Sequence, residues 1–242
     1  MYMQNIIALG MISLFTWGCG NSDKQKGETV QTPLEDKVWY SNPVIDSDNP
    51  DPTVIKAEDG YFYLYSTGGN TWIHKSKDLV HWTYVSGAYE EDKKPSWEPD
   101  AGIWAPDINY VDGKFIIMAT LRLNGDGKRD NNVLRRQLVI TSDKPQGPYS
   151  KPAWLEVDNI DPSLFVDDDG KKYLLISPGI NLLPLSDDCT KVTSESVCVW
   201  PGTGERCPEG PHIFKKGEYY YAMLAEGGTG SVSYTHLRAH ET

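Results

Sequence analysis

An all-β fold built from propeller-like blades is what this 242-residue sequence predicts. The first reason is a fourfold echo in which an acidic residue opens a short apolar stretch, a Gly turn follows, and an aromatic strand comes next. Asp51-Pro52-Thr53-Val54-Ile55 leads to Gly60-Tyr61-Phe62-Tyr63-Leu64-Tyr65, and Asp107-Ile108-Asn109-Tyr110-Val111 to Gly113-Lys114-Phe115-Ile116-Ile117. Asp161-Pro162-Ser163-Leu164-Phe165-Val166 leads to Gly170-Lys171-Lys172-Tyr173-Leu174-Leu175, and Glu209-Gly210-Pro211-His212-Ile213-Phe214 to Gly217-Glu218-Tyr219-Tyr220-Tyr221. The glycines are 53, 57 and 47 residues apart, a period near that of one four-stranded blade. The second reason is composition: 14 Tyr and 8 Trp favour strands, while 22 Gly and 16 Pro supply frequent turns.

In a propeller the first strand of each blade lines a central channel, so an acidic residue recurring early in each copy would bring carboxylates together near one axis. That convergence is the expected functional site. A formal net charge of −11 argues against nucleic acid or an anionic membrane surface as the partner and favours a neutral ligand. Residues 38–230 form one domain with a sizeable core and no internal linker.

Ahead of that domain, Ile6 to Trp17 is an apolar run as long as a signal-peptide core and too short to span a bilayer. Gly18-Cys19-Gly20-Asn21-Ser22 follows it and resembles a bacterial lipoprotein processing site, which would make Cys19 the lipidated first residue. The expectation is a leader over 1–18, a polar tether over 19–37, and export to the cell envelope, the periplasm or the outside of a bacterium. Contact with a membrane would be through the lipid anchor alone; plain secretion and a buried N-terminal strand are the alternatives. Export would allow Cys189 and Cys198 to close a loop by a disulfide, with Cys207 left over; three structural thiols are the other option, and the spacing does not suit zinc.

A single Asp-Pro is more often a turn than a catalyst. Here the acidic residue recurs, Glu replaces Asp in the fourth copy, and Trp104 directly precedes Ala105-Pro106-Asp107. A longer Glu side chain suits a carboxyl that must reach a different atom from the one Asp51 addresses. Trp104 and Trp72 are candidates to stack on a sugar face, with blade packing as the alternative for Trp72. Asp107 reads as structural, bonding strand ends around the channel, and His74, His81 and His212 have no metal-ligand spacing.

In combination these residues resemble glycoside hydrolase family 43, over about Asn42 to Gly230. The motifs are Asn42-Pro43-Val44 with Asn49-Pro50-Asp51-Pro52-Thr53, Trp104-Ala105-Pro106-Asp107, Ile160-Asp161-Pro162-Ser163-Leu164-Phe165, and Glu209-Gly210-Pro211-His212 with Ala225-Glu226-Gly227-Gly228-Thr229. The resemblance implies a five-bladed propeller of which about four blades are present. It implies that Asp51 is the general base and Glu209 the general acid, with Asp161 orienting the acid and raising its pKa by its own charge. The implied reaction is inverting hydrolysis of β-D-xylosyl or α-L-arabinofuranosyl linkages in plant cell-wall xylan, arabinan or arabinoxylan, or in oligosaccharides cut from them. No cofactor is required, and the channel leaves room for a structural Ca2+. A non-catalytic surface glycan-binding propeller, an endo-arabinanase and a retaining fructan-cleaving enzyme are the competing readings. Past Gly230 the family would continue into a fifth blade, whereas residues 231–242 read as a non-native tail without a blade strand.

Overall fold

The computed structural model of this chain describes residues 40–89, 102–123, 134–228 and 234–241, so the leader, the tether and Cys19 lie outside the described residues. Fifteen strands and no helix make up the described regular structure. They form four antiparallel sheets in chain order. The first is β1 (Thr53–Lys56), β2 (Phe62–Ser66), β3 (Trp72–Ser76) and β4 (Thr83–Gly87), and the second is β5 (Gly102–Val111), β6 (Lys114–Leu123), β7 (Leu134–Ser142) and β8 (Ala153–Leu155). The third is β9 (Ser163–Val166), β10 (Lys172–Ile176), β11 (Ile180–Pro184) and β12 (Val197–Trp200), and the fourth is β13 (Glu209–Lys216), β14 (Tyr219–Glu226) and β15 (Tyr234–Glu241). Each sheet is a meander whose neighbours in sequence are neighbours in space, as a propeller blade requires.

Turn chemistry fixes the first hairpin of each blade. Asp112 and Gly113 both take positive φ, 51° and 79°, in the two-residue connection between β5 and β6, the geometry that matches strand twist. Blades one and three turn more widely: Ala57 N–H reaches Tyr61 O at 2.9 Å, and Asp167 N–H reaches Lys171 O at 2.9 Å.

The core lies between blades. Tyr65, Ile73, Ile103, Ile117, Leu121, Leu138 and Ile140 fill the space between the first and second. Met118, Leu155, Leu174 and Ile176 pack between the second and third, and Phe165, Leu175, Ile180 and Leu224 between the third and fourth. Each such side chain removed from water contributes about 1.5 to 3 kcal/mol, which holds sheets that share few backbone bonds with one another. Two hydroxyls, of Tyr65 and Tyr149, converge on Pro145 O at 2.5 and 2.8 Å and so satisfy a carbonyl buried in the first interface.

One expectation changes, and the choice between a disulfide and free thiols is decided. Residues 231–242 were expected to lack a blade strand, yet β15 pairs with β14 along its whole length, from Tyr219 with Glu241 to Glu226 with Tyr234. An open β14 edge presents a row of backbone donors and acceptors, and an extended segment of almost any sequence satisfies them. The Cys189–Cys198 loop is not closed: Cys189 is a buried thiol in the second core, Cys198 is exposed on β12, and Cys207 is free as well. Burial pushes the Cys189 thiol up to about 11.

Candidate active site

Each innermost strand has one residue in left-handed backbone just ahead of it or within it: Asp51 (φ 50°) before β1, Ala105 (44°) in β5, Asp161 (60°) before β9 and Gly210 (62°) in β13. Two residues further on, Thr53, Asp107, Ser163 and His212 pair with Tyr65, Met118, Leu175 and Met223 of the next strand. The fourfold echo is therefore a twofold one in space. Asp51 and Asp161 are true counterparts, Ala105 and Gly210 stand at their place in the other blades, and Asp107 and Glu209 are shifted. Turn length does not account for it, since Asp107 stands two residues after Ala105 whereas Glu209 stands one before Gly210. Glu209 sits one residue ahead of the left-handed position, as Trp104 does in blade two.

The shift leaves the three expected carboxyls together. Asp161 Oδ2 accepts the backbone N–H of Gly210 at 3.0 Å, and its charge interacts with those of both Glu209 and Asp51. Burial, then repulsion from Glu209 and Asp51, pushes Asp161 up to about 6 against the opposing pull of the Gly210 amide. Glu209, half-buried at the start of β13, is raised by burial first and by the Asp51 charge second. The repulsion between Glu209 and Asp161 lifts Asp161, while the causes that raise Glu209 are burial and the Asp51 charge.

Asp51 is the exposed member. Its segment is tied to the end of β2 by three bonds: Ser66 Oγ to Asn49 Oδ1 (3.1 Å), Thr67 N–H to Pro50 O (2.9 Å), and Thr67 Oγ1 to Asp51 Oδ2 (2.6 Å). Trp72, 38% exposed, covers Gly68 so closely that an added Cβ there would lie 2.9 Å from the ring. Trp104 is half-buried, and its indole lies 3.4 Å from where a Cβ on Gly102 would stand. The Trp72 indole thus covers the Thr67–Gly68 turn beside Asp51.

Two further acidic side chains, Asp107 and Glu226, are built into the same region. Asp107 is buried and accepts from Leu164 N–H and Asn109 Nδ2, each at 2.8 Å, joining β5 to β9 as a strand-end brace. Ser163 Oγ lies 3.0 Å from His212 Nδ1, and the His212 charge draws Asp107 down while burial raises it more. Glu226, fully buried at the end of β14, accepts from Thr203 N–H (2.7 Å) and from the Thr203 hydroxyl, and so holds the loop leading to Glu209. Among the described residues no group of three or more His, Cys, Asp or Glu side chains is placed to hold a metal ion.

The profile of glycosyl hydrolases family 43 matches residues 40–242. Over 240 residues the chain is 37% identical to a non-reducing end alpha-L-arabinofuranosidase of Bacteroides ovatus, covering 94% of this chain and 41% of that protein. It is 33% identical over 208 residues to a xylan 1,3-beta-xylosidase of a Vibrio species, covering 78% of this chain and 38% of the relative. Among solved structures, a GH43 protein of Bacillus licheniformis superposes with a TM-score of 0.75 at 44% identity, covering 83% of this chain and 41% of that one. The chain thus spans about two fifths of the length of these relatives. A match that runs from Tyr40 through all four blades, on the fold of enzymes whose five-bladed architecture these sheets share, places the chain in glycosyl hydrolase family 43.

Proposed function

We propose that this protein is an inverting glycoside hydrolase releasing β-D-xylosyl or α-L-arabinofuranosyl units from plant cell-wall polysaccharides or their oligosaccharides. The observation that carries the reading is the contrast between carboxyls whose charges interact: Asp51 exposed and held by a hydroxyl donor, Glu209 half-buried and lifted. Inversion needs one carboxylate to activate water and one carboxylic acid, about 6.5 to 9.5 Å away, to protonate the departing oxygen. Asp51 is the base in this reading. Glu209 is the acid, kept protonated to higher pH by burial. Asp161 orients the Glu209 segment through Gly210, and Trp104 and Trp72 offer flat apolar faces to the sugar.

The pentosyl substrates rest on the names of the relatives, an arabinofuranosidase and xylosidases. No resident cofactor enters the chemistry. Export as a lipid-anchored envelope protein rests on the leader-like 1–18 run and Cys19, and loss of membrane association in Cys19→Ala tests it. For the reaction, proton NMR early in hydrolysis of an aryl β-xyloside or aryl α-L-arabinofuranoside by the full-length protein should show the inverted anomer first. Initial retention, or no turnover of either substrate, would sink the proposal.

A further inference from the structure

We infer that Thr67 is a positioning residue for the base: its hydroxyl fixes Asp51 by a one-way hydrogen-bond relay that starts at the backbone of blade two. The inference rests on the reading of Asp51 as general base. A threonine hydroxyl has one hydrogen and two lone pairs. Ala105 N–H donates to Thr67 Oγ1 at 2.7 Å, which occupies a lone pair, and the Thr67 hydrogen is then directed at Asp51 Oδ2, 2.6 Å away. That length is normal for a hydroxyl bound to an ionised carboxylate. Asp51 Oδ1 has no hydrogen-bond partner among the described residues, so the relay leaves one named oxygen available to a water.

Every part of the relay is held from outside it. Thr67 N–H bonds Pro50 O at 2.9 Å, so the backbone that carries the donor also fixes the residue ahead of the base. Gly68 N–H bonds Ile103 O at 3.1 Å, pinning the turn to β5. The Ala105 amide is aimed by the β5 bulge between Trp104 and Asp107, where Ala105 takes a φ of 44°. Asp51 itself sits at φ 50°, a conformation that a non-glycine residue keeps only when its surroundings hold it there. A residue that merely packed would need none of this directionality. The bulge also carries Trp104, so movement of a sugar-facing wall reaches the base through a single amide. The ionisable groups whose charges interact with that of Asp51 are Asp161 and Glu209, and neither touches Thr67.

The test uses Thr67→Val, Thr67→Ser and Asp51→Asn in the full-length protein, with kcat, KM and pH profiles on an aryl glycoside. Thr67→Val should lower kcat about 10- to 100-fold with little change in KM, because a charge-assisted bond to the base is lost while sugar contacts remain. Thr67→Ser keeps the donor and should restore most of kcat. Thr67→Ala, which cannot overpack, is read alongside in case the valine variant does not fold, with the same expectation. Wild-type kcat in the variants lacking the donor, beside an inactive Asp51→Asn, overturns the positioning role alone. Equal impairment in the serine and valine variants also overturns it. An active Asp51→Asn removes the base assignment and the relay with it.

Discussion

Asp161 Oδ2 accepts the Gly210 backbone N–H at 3.0 Å, so the carboxyl grips the chain at the residue next to Glu209. Gly210 is left-handed, and its amide is therefore turned away from the ladder and available to a side chain. Asp161 stands at the corresponding left-handed position of blade three. One repeated backbone kink thus supplies the acceptor in one blade and the donor in the next.

That grip is maintained at an electrostatic cost, and the cost is measurable. Burial and two neighbouring carboxyls push Asp161 up to about 6. A carboxyl that binds its proton more tightly when folded favours the fold below its ordinary range near 4, and that contribution is lost as pH rises to about 6. Asp161→Asn removes the ionisation, while its amide oxygen can still accept from Gly210. It should be more stable than wild type by about 1 to 2 kcal/mol at pH 8 and no more stable at pH 4, by thermal melts at the two pH values. Equal gains at both would show that ionisation of Asp161 is not the cause.

Kinetics separate the acid from the base. Glu209→Gln should slow substrates with poor leaving groups far more than activated aryl glycosides, whose departure needs little protonation. Asp51→Asn should damage both alike, because water must be activated whatever leaves. Asp161→Asn should shift the alkaline limb of the pH profile downward only modestly, since burial, the leading cause of the Glu209 shift, is untouched. Matching leaving-group sensitivity in the Asp51 and Glu209 variants would exchange or void these roles.

What the sequence could and could not reveal follows from distance along the chain. The blades were legible because aromatic strands and glycine turns are local signals, and Asp51 and Asp161 were legible because both lie the same distance before a turn of the same width. Asp107 and Glu209 were placed in the wrong register because each stands off the left-handed residue of its own blade, two after Ala105 and one before Gly210, and backbone φ at Ala105 leaves no local mark in the sequence. Thr67 was not legible at all: its acceptor bond comes from an amide 38 residues on. Glu226 appeared only as a letter in a motif, since nothing local says that Thr203 will fold back on it.

Asp107 is the clearest structural carboxyl. Its bonds to Leu164 N–H and Asn109 Nδ2 span two blades, and both it and Leu164 are buried. Asp107→Ala should lose about 1 to 3 kcal/mol in urea denaturation, because a buried amide is left without an acceptor. Asp107→Asn, which retains an oxygen, should lose less. A smaller loss in the alanine variant would mean that the Leu164 amide finds another partner.

The loop that leads into Glu209 offers the sharpest steric test. Glu226 is fully buried, and its two oxygens receive the Thr203 N–H and hydroxyl. This grip depends on Gly202, whose φ is 99° and whose missing side chain makes room: an added Cβ would stand 2.1 Å from Glu226 Oε1. Gly202→Ala must therefore strain the backbone and displace a carboxylate that has nowhere solvated to go. The expected cost is about 2 to 4 kcal/mol in thermal or urea unfolding. Because the loop runs through residues 201–208 directly into β13, the displacement should also misplace Glu209, and kcat should fall most on substrates with poor leaving groups. Gly204→Ala is the control: that glycine also has positive φ, 103°, but no atom lies within 4 Å of its added Cβ, so it should suffer backbone strain without the Glu226 clash. Equal losses in the two variants would assign the effect to backbone strain and leave Glu226 no part in holding the acid.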